Sequence, residues 1–92
     1  MTDMQHRVVI TGMGTINPLA HDVDDYWSAL IKGESGIDRI TAFDPSEFST
    51  HIAGEIKDFD PTTVVDRKEA RRLSKFILYA LKASVDAVSD SG

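Results

Sequence analysis

An α/β architecture is the fold class this sequence predicts, and three observations predict it. A β-branched run, Val8, Val9, Ile10 and Thr11, is closed by Gly12 and Gly14, the pattern of a short buried strand leaving into a tight turn. Apolar residues recur at helical spacing in two segments, one after His21 and one after Asp66. Between them "HIAGEIK" (51–57) places Ile52, Gly54 and Ile56 at period two, which suits an edge strand with Gly54 marking a close approach or a bulge.

Length and composition narrow the function. Ninety-two residues suffice for one small domain with a thin core. The 41% hydrophobic and 27% charged residues are ordinary globular material. Without cysteine there is no disulfide framework, no thiolate metal site and no thiol nucleophile. No apolar run approaches the roughly 20 residues of a membrane span, and "MTDMQHR" lacks the apolar core of a signal peptide. A cytoplasmic location without membrane association is the expectation.

The opening "RVVITGMGTINP" (7–18) invites comparison with a phosphate-binding turn. A dinucleotide fingerprint requires a third glycine three residues after the second and a helix opening at once, but Asn17 and Pro18 stand there. A P-loop is excluded because no Gly-Lys-Ser/Thr follows. The glycines are therefore read as a structural turn, and no cofactor-binding residue is assigned.

The first helix is expected in "HDVDDYWSALIKG" (21–33). Asp22 or Asp24 can cap its first turn, Val23, Trp27, Leu30 and Ile31 form its apolar stripe, and Gly33 ends it. Asp22, Asp24 and Asp25 are acids favoured by the macrodipole rather than a cation site. Residues 34–61 are expected to be loop-rich, with 51–57 the one strand among them. His6, His21 and His51 are scattered without i, i+4 pairing, so no metal ligand is assigned.

The last segment is expected to be one long helix, "DRKEARRLSKFILYALKASVDAVSDSG" (66–92), opened by an Asp66/Glu69 capping box and stopped at Gly92. Leu73, Phe76, Ile77, Ala80, Leu81, Ser84, Ala87 and Val88 share one broad face, so the helix must pack against something substantial. Lys68, Arg71, Arg72 and Lys75 fall on the opposite side within about 100°. Net charge is −5, yet residues 66–92 hold six Lys/Arg and four Asp/Glu while 1–65 hold four and eleven. Cations in the first turns of such a helix oppose its dipole at about 0.3–1 kcal/mol each when exposed. A basic stripe against the dipole, in an acidic chain, suggests an anionic partner. A pI near 4.9 argues against nucleic acid and for an acidic protein.

In order and spacing, "RVVITGMG" with Pro18, Trp27 with "GESGI" (33–37), Phe43–Asp44, Ala53–Gly54, "KDF" (57–59), "DRKEARR" (66–72) and "DSG" (90–92) resemble the amino-terminal part of the β-ketoacyl-acyl-carrier-protein synthases, nearest the elongating synthase II type. The resemblance implies the first part of a thiolase-like layered α/β/α/β/α fold, with residues 1–92 an incomplete share of its first half. It implies an acyltransferase of fatty-acid biosynthesis: a cysteine takes an acyl chain from carrier-protein phosphopantetheine, and two histidines and a lysine assist decarboxylative condensation with malonyl-carrier protein.

None of those catalytic settings occurs in this chain, so no catalytic residue is assigned and the chain alone is expected to be an inactive amino-terminal fragment. Its apolar faces would lack partners, so it is expected to fold with the rest of the architecture or in an unusual, domain-swapped assembly. By position in "DRKEARR", Lys68, Arg71 and Arg72, flanked by Arg67 and Lys75, match the patch that would receive acyl carrier protein. The resemblance further implies a homodimer and no resident cofactor, since phosphopantetheine arrives on the carrier. A polyketide ketosynthase or chain-length factor, or a non-catalytic interaction segment, would share this organisation.

Overall fold

Helix α1 shows how local chemistry sets an element here. In the computed structural model, which describes residues 6–92, α1 spans Val23–Ile31. Asp22 is its N-cap, the carboxylate accepting from the Asp25 N–H at 2.8 Å, with Asp24 and Asp25 in the dipole-favoured first turn. Gly33, at φ +74°, takes the left-handed conformation that ends the helix. Of the expected stripe, Val23 is half-buried whereas Trp27, Leu30 and Ile31 are exposed, and the buried residue is Ala29.

Two short strands follow. Strand β1 (Ile37–Arg39) pairs antiparallel with β2 (Ile52–Gly54) in the register Ile37↔Gly54, Asp38↔Ala53, Arg39↔Ile52. β2 lies within the expected strand, and Gly54 is a close-approach position: a Cβ there would sit 3.1 Å from Pro18 Cγ and 3.2 Å from Ile37 Cδ1. β1 falls in the segment expected to be loop. All three of its residues are exposed, so it carries no burial alternation and exists only through its pairing with β2.

Glu55 ties the long connection between the strands. Its carboxylate accepts from the Thr41 N–H (3.0 Å), the Thr41 hydroxyl (2.9 Å) and the Ala42 N–H (3.0 Å). These bonds, the Thr41 amide foremost, hold the Glu55 carboxyl below its ordinary pKa.

The expected strand at Val8–Thr11 does not form. The two strands present pair with each other, so no neighbour accepts this segment's backbone groups, and Val8 and Ile10 are 92% and 83% exposed. What holds the segment is its glycines. A Cβ on Gly12 would lie 2.3 Å from the Ala87 carbonyl oxygen and one on Gly14 2.0 Å from that of Ala83, so both glycines let the chain lie directly on helix backbone. The Met13 N–H between them donates to Asp90 Oδ2 at 3.0 Å.

The expected single helix over 66–92 is two. Helix α2 (Arg67–Arg72) ends at Leu73 (ψ 142°), Ser74 is also extended (ψ 158°), and helix α3 runs Lys75–Ser91 with Gly92 as C-cap at φ +92°. Ser74 restarts the helix through its carbonyl, which accepts from the Ile77 and Leu78 N–H groups, as an N-cap residue does. The break is preceded by a single-turn 3₁₀ helix, Pro61–Thr63.

Leu78, Tyr79, Lys82, Ala83, Asp86 and Ala87 of helix α3 face the rest of the chain, and among them only Leu78 is buried. Lys82 pairs with Asp86 and donates to the His21 carbonyl at 3.0 Å. The expected packing face turns largely outward: Phe76 and Val88 are 72% and 71% exposed, and Ala80, Leu81 and Ser84 are also exposed, while Leu73 and Ile77 are half-buried. Ala87 belongs to the packed side.

Buried hydrophobic residues of the core among those described are Ala20, Ala29 and Leu78, and no side chain among them is fully enclosed. The chain exposes 7225 Å², against about 5,300 Å² for a closed globule of its mass. The apolar faces thus lack partners within the chain, as the sequence implies. Among the described residues no helix is long and apolar enough to cross a membrane.

Two outcomes follow. Gly14→Ala drives a methyl into the Ala83 carbonyl, and overpacking of this kind costs about 1–3 kcal/mol. Hydrogen exchange at the Met13 amide should accelerate roughly ten- to hundredfold, and unchanged exchange would refute the close packing. Glu55 has a folded-state pKa below its unfolded value, so its stabilisation is present at neutral pH and is lost as pH falls through the folded value. The Thr41 and Ala42 amide resonances should move together on acidification below the ordinary glutamate range, and Glu55→Gln should abolish that transition.

Candidate functional site

The candidate site is α2 and its flanks, and a series of side-chain caps positions it. Asp60 Oδ1 accepts from the Thr62 N–H (3.0 Å) and hydroxyl (2.6 Å), and the Thr63 hydroxyl donates to the Asp60 carbonyl at 2.9 Å. With Pro61 fixing φ at the first position of the 3₁₀ turn, this closes the approach to α2. Asp66 then caps α2, its Oδ1 accepting from the Glu69 N–H at 2.8 Å. The expected capping box is half realised: the Glu69 carboxylate turns to Arg72, whose Nη1 donates to Oε1 at 3.2 Å.

Ala70 and Leu73 form the inner side of α2. They are half-buried and line a cavity of about 440 Å³ with Ile56, Phe59, Leu78 and Tyr79. An edge-on aromatic series, His21 to Phe59 to Tyr79 with centroids 6.0 and 5.5 Å apart, fixes its far wall. The apolar residues of α2 face inward, and its cations are left on the outside.

Arg67, Lys68, Arg71 and Arg72 are all exposed. At 100° per residue they fall in the order Arg67, Arg71, Lys68, Arg72 over about 140° of the helix surface. Lys75 is exposed too, but it opens α3 beyond the break, where it lines both the cavity behind α2 and a cleft with Thr41, Glu55, Lys57 and Tyr79. The structure therefore brings four of the five expected residues onto one arc and sets Lys75 apart, because the extended Leu73–Ser74 linkage interrupts helical phase.

The electrostatic expectation is corrected for Arg71 and Arg72, while Lys68 and Lys75 stand in the first turns of α2 and α3. In a continuous helix these cations would oppose the dipole, but with α2 ending at Arg72, Arg71 and Arg72 occupy its last turn, where positive charge is favoured. Arg67 lies near Asp60 and, after the Thr62 hydrogen bonds, helps to hold that carboxyl below its usual range. Among the described residues Lys68, Arg71 and Lys75 make no ion pair within the chain.

Sequence reasoning missed the break, although Ser74, a good N-cap residue before "KFIL", was an available signal. At the opposite end of the chain, the Gly12–Gly14 turn presents no phosphate cradle: both glycines abut the α3 backbone, and the Met13 amide between them is taken by a carboxylate.

The family model "Beta-ketoacyl synthase, N-terminal domain" matches residues 5–92. The 3-oxoacyl-[acyl-carrier-protein] synthase 2 of Coxiella burnetii (strain RSA 493 / Nine Mile phase I) is 47% identical over 96% of this chain and 21% of its own length. That of Vibrio harveyi is 46% identical over the same shares, and that of Staphylococcus aureus (strain COL) 47% identical over 92% and 20%. The chain thus spans about a fifth of the length of these relatives. Among solved structures, the ishigamide ketosynthase/chain length factor superposes with a TM-score of 0.81 over 91% of this chain and 21% of that one, at 33% identity. The order of the motifs, the glycine turn seated on α3 and the backbone shared with a ketosynthase converge: the chain belongs to the β-ketoacyl synthase family and forms an amino-terminal part of its thiolase-like α/β fold.

Proposed function

We propose that this chain works as the amino-terminal part of a 3-oxoacyl-acyl-carrier-protein synthase of fatty-acid elongation, providing scaffold and the helix on which acyl carrier protein docks. The observation that carries this reading is α2: a capped, outward-facing arc of Arg67, Lys68, Arg71 and Arg72 on a chain of net charge −5. Placing cations against the chain's overall charge suits an acidic protein partner. Lys75 serves as a flanking contact across the helix break. The reaction is decarboxylative condensation of an acyl-enzyme with malonyl-carrier protein; the phosphopantetheine arm comes with the carrier, and no resident cofactor is required. The intact enzyme is proposed to be a cytoplasmic homodimer that binds neither nucleic acid nor membrane.

A polyketide ketosynthase or chain-length factor is the second reading, favoured by the structural similarity to the ishigamide ketosynthase/chain length factor. Identities of 46–47% to synthases 2 against 33% to that structure favour fatty-acid elongation.

With no cysteine in its sequence, the 92-residue chain alone should give no ketoacyl product from acyl- and malonyl-carrier protein; turnover above a protein-free control would overturn the division of labour proposed here. In the intact synthase, Arg71→Glu with Arg72→Glu should raise KM for carrier-borne substrates several-fold, with an effect that shrinks as salt rises. Acyl-pantetheine substrates without the carrier should react almost normally. Because both arginines sit in the last turn of α2 and Arg72 bonds Glu69, the double substitution should also lower stability slightly, by about 0.5–1 kcal/mol. Equal losses for both substrate forms would assign the arc to the fold instead.

A further inference from the structure

Resting on the docking role proposed above, we infer that Glu69 is an affinity-tuning residue of α2: it attenuates the attraction of the basic arc for an acidic partner by holding the Arg72 guanidinium on its own carboxylate. The arc is not uniform. One flanking cation, Arg72, is paired with Glu69 at 3.2 Å. The other three, Arg67, Arg71 and Lys68, have no ion pair among the described residues.

Glu69 is the one acid within α2, and its side chain is 46% exposed against 70% for Arg72. It therefore lies at the edge of the surface a partner would meet, close enough to be felt. Its capping task is done by its backbone, since Asp66 bonds the Glu69 N–H and the Glu69 carboxylate returns no bond to the cap. The side chain is thus free of the cap, and its negative charge acts on Arg72 and on whatever approaches.

One unit charge several ångströms from an acidic surface, in a water-like dielectric, changes association by about two- to threefold. An exposed i, i+3 pair holds its members only loosely, so a stronger partner carboxylate can draw Arg72 away. Glu69 makes that exchange less favourable. The penalty grows with the number of acids a partner brings, so Glu69 tempers affinity most for an acidic helix.

The test is binding of acyl carrier protein to the full-length protein, measured as Kd at several salt concentrations for the parent, Glu69→Gln, Arg72→Gln, the combination of the two, and Arg71→Glu/Arg72→Glu. Glu69→Gln should tighten binding about two- to threefold at low salt, and the gain should vanish toward 1 M salt, where the Debye length is about 3 Å. In the Arg72→Gln background the gain should fall by at least half. Glu69→Ala, a good helix former, should reproduce the gain, which separates the charge from any effect of glutamine on folding. No gain from either substitution while Arg71→Glu/Arg72→Glu still weakens binding would overturn the role of Glu69 and leave the docking role standing. Equal gains with and without Arg72 would overturn the mechanism through that arginine. Unchanged Kd for Arg71→Glu/Arg72→Glu would instead remove the docking role itself, and this inference with it.

Discussion

The architecture depends on a backbone-to-backbone contact. Gly12 and Gly14 lie so close to the carbonyls of Ala87 and Ala83 that even a methyl group has no room, and Met13 between them anchors to Asp90. This contact joins Gly12–Gly14 to the last helix, and the Lys82 bond to the His21 carbonyl continues the seam from the residue next to Ala83 on α3. Small residues at positions 83 and 87 of the helix and glycines opposite them are two halves of one steric requirement, and neither is intelligible from its own segment.

That seam determines which way α3 turns. Committing Ala83 and Ala87 to the glycine turn leaves Ala80, Leu81, Ser84, Val85 and Val88 on the outside, and Val8 and Ile10, in a segment that forms no strand, are exposed as well. In a layered α/β architecture such a helix and such a segment are interior elements. Their exposure here is the signature of surfaces shaped for the other layers of the fold, not of a surface shaped for water.

What the sequence disclosed and what it hid divide along a physical line. The caps at Asp22 and Asp66 and the stop at Gly33 were legible because each is decided within one helical turn. The close approach at Gly54 was legible from a glycine in an alternating run. Strand β1 was not, because nothing in Ile37–Arg39 alternates in burial and the pairing with β2 spans a long loop. The failed strand at Val8–Thr11 is the converse: local propensity was present, and the partner was absent. Within the candidate site the basic residues were legible as a group. Their sense relative to the helix dipole was not, because it turned on a two-residue interruption whose one signal was a serine.

The extended pair Leu73–Ser74 has a consequence for how the chain tolerates change. A continuous helix would lock every cation of α2 into rotational phase with the apolar surfaces of α3, so any insertion or deletion upstream would rotate both. The interruption uncouples them: α2 takes its orientation from its own cap at Asp66 and from the packing of Ala70 and Leu73, and α3 takes its orientation from the glycine seam. Charge on the outer helix is therefore a separately adjustable module, free to vary while α3 stays fixed.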